Sequence, residues 1–129
     1  YAKYGYHESQ LSKAVLLLAA DKLTKEASGE VYYFPAYEIV NDELRDYRFY
    51  KADMLHPNEQ AVVYIWEQLV ATCFSATAKQ FLKEWRPIKE ALAHRPFHPE
   101  AATYQDFLKK TKEAARLLKQ KYPNLELKE

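Results

Sequence analysis

Two glycines in 129 residues constrain this chain more than any other feature of its sequence. Usual glycine usage near 7 % would give roughly nine. An α/β enzyme ordinarily places glycines where strands turn into helices beside a ligand. With only Gly5 and Gly29, the chain is expected to be mostly helical. Met54 is the only methionine and the sequence opens at Tyr1, so it reads as part of a larger protein.

Hydrophobic residues make up 48 % and charged residues 29 %, a balance that suits a globular chain and is too apolar for a disordered one. The net charge of +1 gives no electrostatic case for a nucleic-acid partner or an anionic membrane. The longest apolar run, residues 14–20, is far shorter than the roughly 20 residues of a membrane span. Cys73 stands alone, so no internal disulfide can form and the redox compartment stays open, with the cytoplasm favoured.

Apolar residues recur at helical spacing over residues 9–26, through Leu11, Ala14, Val15, Leu18 and Ala19. Leu16, Leu17 and Leu23 widen that stripe, so this helix is expected to be largely buried. Ser28-Gly29 ends it in a turn. The run Val31-Tyr32-Tyr33-Phe34, stopped by Pro35, predicts a strand buried on both faces, as in a parallel sheet covered by helices. Residues 37–44 suggest a short helix, followed by a stretch dense in charge and aromatics. A second clear helix opens at His56-Pro57-Asn58-Glu59, with Asn58 placed to cap it. A third covers residues 77–93, kinked or broken near Pro87. Arg95-Pro96-Phe97-His98-Pro99 forms a rigid connector to a last helix over residues 100–121, with Tyr104, Phe107, Leu108, Ala115 and Leu118 inward.

The chemistry lies in Asp53-Met54-Leu55-His56-Pro57. An aspartate three residues before a histidine can meet it within one tight turn. Its carboxylate then accepts from one imidazole nitrogen, fixes the tautomer and stabilises the imidazolium when the other nitrogen removes a proton. A serine hydrolase asks this of its base. Taken alone, the pair also reads as a turn residue and a helix-capping or surface histidine; the helix start that follows favours the acid–base reading.

Asp53-x-x-His56-Pro57-Asn58 resembles the last sequence block of the SGNH hydrolases, a superfamily of three-layer α/β esterases. More narrowly, the chain is similar to the C-terminal part of GSCFA-domain proteins. The similarity runs through Gln10-Leu11-Ser12-Lys13-Ala14, Tyr33-Phe34-Pro35-Ala36-Tyr37-Glu38, the stretch 43–50, residues 53–58, Tyr64-Ile65-Trp66-Glu67 and His94-Arg95-Pro96-Phe97. It implies an α/β fold in which this chain is the C-terminal part, mostly helical, with one buried strand at residues 31–34 and extra C-terminal helices. It also implies catalytic roles for His56 and Asp53, and a serine in an N-terminal Gly-Ser-Cys-Phe-Ala motif. That motif is missing here. Thr72-Cys73-Phe74-Ser75-Ala76 echoes it inside a helix and after the histidine, where the superfamily has the serine first, so Ser75 is read as a coincidence.

Other constellations read more plainly. His94 and His98 flank Pro96 without a carboxylate or cysteine cluster, so a connector role outweighs a metal site, and no metal or other cofactor is expected. Cys73 reads as a small buried helix residue. The basic residues Lys109, Lys110, Lys112, Arg116, Lys119 and Lys121 read as a solvated helix face. Tyr47, Phe49 and Tyr50 have two readings of equal weight, lining a substrate cleft or packing beneath the Asp53 loop.

Two functions therefore compete. In the first, residues 1–74 complete an SGNH-like domain acting on an ester-type bond in a small molecule or glycan, and residues 75–129 form a helical extension packed on it. The expected partner is the N-terminal remainder of the protein or a symmetric copy, covering the lone strand and the leucines of the first helix. In the second, the chain is a helical interaction domain on a hydrolase-derived fold with no activity.

Overall fold

The computed structural model describes residues 5–126. Those residues form helices and loops with no strand, so the fold is all-α and the α/β expectation is corrected. Helix α1 spans Tyr6–Glu26 and a single turn, α2, spans Ala36–Glu38. A wide π turn continues it over Ile39–Glu43, and a 3-10 turn covers Tyr47–Phe49. Three longer helices follow: α3 at Glu59–Cys73, α4 at Ala76–Ala93 and α5 at Ala102–Lys121. No described helix is long and apolar enough to cross a membrane.

The residues that were expected to form a buried strand, Val31 to Phe34, are irregular and largely exposed, with Tyr32 81 % accessible. An apolar run becomes a strand only when another strand satisfies its backbone, and none is present among the described residues. Local bonds take over instead. The Val31 amide donates to the Ala27 carbonyl at 3.1 Å, the Tyr32 hydroxyl to the Gly29 carbonyl at 3.0 Å, and the Tyr33 hydroxyl to the Glu38 carboxylate at 2.9 Å. Gly29, at φ 89°, supplies the left-handed residue that turns the chain out of α1.

The chain divides into two compact units, Tyr1–Leu69 and Val70–Glu129. In the first, Ile39, Leu44 and Ala61 are buried, with Phe34, Phe49, Tyr64 and Ile65 packed against them. The π turn makes this possible: the Leu44 amide bonds the Ile39 carbonyl five residues back, at 3.0 Å, and both side chains enter the core. The Tyr64 hydroxyl donates to the Glu43 carboxylate at 2.6 Å, tying α3 to that turn. Helix α1 departs from expectation, because none of its residues is buried and Leu16 and Leu18 are each 68 % exposed. Its apolar residues 14–20 encircle the helix, so no single neighbouring segment of this chain can cover them.

In the second unit α4 and α5 pack together. Thr111, Ala115 and Leu118 are buried along α5, and Phe81 meets Trp85 and Tyr122 with ring centroids at 6.4 and 5.0 Å. Helix α4 is capped by Ser75, whose hydroxyl accepts from the Ala78 amide at 3.1 Å, and it runs unbroken through Pro87. Pro87 and Lys83 are both exposed, so the Lys83 carbonyl that loses its partner can turn to water.

Ala61 is fully buried at the start of α3. Ala61→Leu is expected to overpack the small core and destabilise the chain by about 1–3 kcal/mol in urea unfolding. Unchanged stability would show that this core has room to spare.

Candidate active site

Residues 49–58 form a closed loop before α3. The Asn58 amide donates to the Phe49 carbonyl at 2.8 Å and the Lys51 amide to the His56 carbonyl at 2.8 Å, with an antiparallel bridge between Tyr50 and Pro57. At the tip the Met54 amide bonds the Lys51 carbonyl at 2.9 Å. Met54 sits at φ 61°, a left-handed conformation that costs a side-chain-bearing residue roughly 1–2 kcal/mol.

That tight tip lets one carboxylate serve three donors. Asp53 Oδ1 accepts from the amides of Leu55 at 2.9 Å and His56 at 3.0 Å. Asp53 Oδ2 stands 2.6 Å from His56 Nδ1. The two sequence-predicted residues are thus brought together within one turn. The His56 amide, then the Leu55 amide and then the imidazole hold the Asp53 carboxyl well below the usual carboxylate range. An ionised Asp53 favours the tautomer with the proton on Nδ1, which leaves Nε2 as the free base. Both side chains are open, His56 72 % exposed and Asp53 45 %.

The three aromatic candidates separate. Phe49 packs on the Ile39–Leu44–Ala61 core beneath the loop, while Tyr47 is exposed and Tyr50 half-buried. None of the three lines either of two surface hollows. One of about 400 Å³ is bounded by α1 and Tyr33, Tyr37 and Glu38; the other lies along α5. Neither hollow includes Asp53 or His56.

The other candidates fall elsewhere. Ser75 caps α4, at the joint between α3 and α4 and not inside a helix as its sequence suggested. Cys73 ends α3 and is exposed, where a buried position was expected. The His94 ring lies 6.2 and 6.1 Å from those of Tyr104 and Phe107, and His98 Nδ1 is 3.6 Å from Glu100. No group of three or more His, Cys, Asp or Glu side chains with metal-binding geometry occurs among the described residues. Sequence reasoning did not assign the anchoring of this loop by Asp46 and Arg48. Asp46 Oδ1 accepts from the Arg48 amide at 2.9 Å and Oδ2 from the guanidinium at 2.8 Å, a pairing that lowers the Asp46 carboxyl. An aspartate two residues before an arginine, ahead of the motif, was the available signal.

The sequence of residues 1–69 matches the GSCFA family, and residues 85–129 match the GSCFA domain protein, C-terminal domain. No curated protein and no solved structure matches the chain.

Asp53 should stay ionised to unusually low pH. Its folded-state value is lowered, so the stability it contributes is present above the unfolded value near 3.9 and is lost as pH falls below it towards the folded value. In an NMR pH series the Asp53 carboxyl ¹³C resonance should show its own protonation step only below about pH 3.9. His56→Ala should keep most of this lowering, because the backbone amides are its largest causes. A midpoint near 3.9 would contradict the assignment.

Proposed function

The chain belongs to the GSCFA family, and from that premise we propose that it supplies the acid–base half of an SGNH-type serine hydrolase or acyl transferase. The observation that carries the reading is the 2.6 Å contact between His56 Nδ1 and an Asp53 carboxylate already fixed by two backbone amides. Asp53 orients the ring and balances its positive charge. His56 Nε2 takes the proton from a serine hydroxyl as its oxygen bonds to an ester carbonyl carbon. The same proton then passes to the departing alkoxide as the ester C–O bond breaks. Water, deprotonated by the same nitrogen, releases the acyl group; an acceptor alcohol in its place gives acyl transfer.

No serine or cysteine hydrogen-bonds His56 among the described residues. In this reading the nucleophile and the oxyanion donors come from outside them. The openness of the pair and the uncovered apolar girdle of α1 support the same arrangement, since an acid–base pair works best where water is excluded.

The 129-residue chain alone is expected to hydrolyse no activated ester above background. In the full-length protein His56→Ala should lower turnover by about 10³-fold or more without unfolding it, and Asp53→Asn should also be severe. Turnover indifferent to His56→Ala would overturn the hydrolase reading and leave an inactive helical interaction domain.

A further inference from the structure

Asn58 uses every polar group it has. Its backbone amide donates to the Phe49 carbonyl at 2.8 Å, and its carbonyl accepts from the Val62 amide at 3.0 Å. Its side-chain oxygen accepts from the Ala61 amide at 3.1 Å, capping α3. Its side-chain Nδ2 donates to the carbonyl of Arg48. One amide thus joins the first turn of α3 to the segment that enters the loop. Arg48 is itself fixed by Asp46, and Ala61 is fully buried, so both ends of the link are anchored.

His56 lies two residues before Asn58, separated by Pro57, whose ring fixes φ. Its carbonyl is held by the Lys51 amide, three residues after Arg48. The position of the imidazole relative to Asp53 therefore depends on how the two arms of the loop are pinned. The pin nearest the helix is Asn58.

We infer that Asn58 is a positioning residue: its two-sided amide, through the Arg48 carbonyl and the Ala61 amide, holds His56 in line with Asp53. The inference rests on the acid–base reading for its catalytic consequence, while its structural content stands apart from activity. A capping role alone would be met by any good N-cap residue. The bond to Arg48 needs a donor on the opposite side of the same side chain, which serine is too short to offer and aspartate lacks.

The test compares Asn58→Ser and Asn58→Asp in the full-length protein. Both keep the cap, so melting should change little. The ¹⁵N shifts of the His56 ring report its tautomer, a readout that capping does not govern. Both variants should convert a single Nδ1-protonated form into a mixture. Turnover of an activated ester should fall ~10- to 100-fold with KM unchanged. A ring that keeps one tautomer in both variants would overturn the inference. So would a change confined to Asn58→Asp, which would trace to its added charge. Mixed tautomers in a protein whose parent hydrolyses nothing would leave Asn58 as the positioning residue and overturn the hydrolase reading instead.

Discussion

The Asp53 carboxylate is the interaction on which the site depends. One oxygen closes the turn by taking the amides of Leu55 and His56, and the other takes the imidazole. The same group therefore shapes the backbone and orients the imidazole. This economy explains the left-handed Met54, because the chain must reverse within four residues for both oxygens to reach their donors. It also explains why the pair needs no buried pocket to form: the carboxylate is held by fixed backbone donors even though both side chains are open.

The loop in turn depends on a small core. Ile39, Leu44 and Ala61 are buried, and Phe49, where the loop begins, packs against them. The π turn that brings Ile39 and Leu44 to one place, and the Tyr64–Glu43 bond that fastens α3 to it, set the platform from which Asn58 pins the loop. Little else in the first unit is buried. Helix α1 carries apolar side chains all round over residues 14–20 and buries none of them.

Features set by neighbouring residues were legible in the sequence. The Asp53–His56 spacing gave the contact, Asn58 gave the cap and Gly29 gave the turn; of the inward residues expected on α5, Ala115 and Leu118 are buried, Tyr104 and Leu108 half-buried and Phe107 exposed. Features set by distant partners were not. The run at residues 31–34 has strand character, but nothing local says whether another strand lies beside it, and among the described residues none does. The burial expected of α1 failed for the same reason, since amphipathic width reports what a helix needs covered and not what covers it. The break considered at Pro87 does not occur, because a proline's effect depends on whether the freed carbonyl can reach water, which only the fold decides. Phe49 could be separated from Tyr47 and Tyr50 only once the core beneath the loop was located.

The central claim is that Asp53 acts on catalysis through His56 alone. A double-mutant cycle on kcat/KM in the full-length protein tests it most directly, using Asp53→Ala, His56→Ala and both together. Residues working as one unit give strongly non-additive losses. The account predicts that Asp53→Ala costs nearly all of its effect in the parent and almost nothing further once His56 is gone. Losses that multiply across the two sites would contradict it.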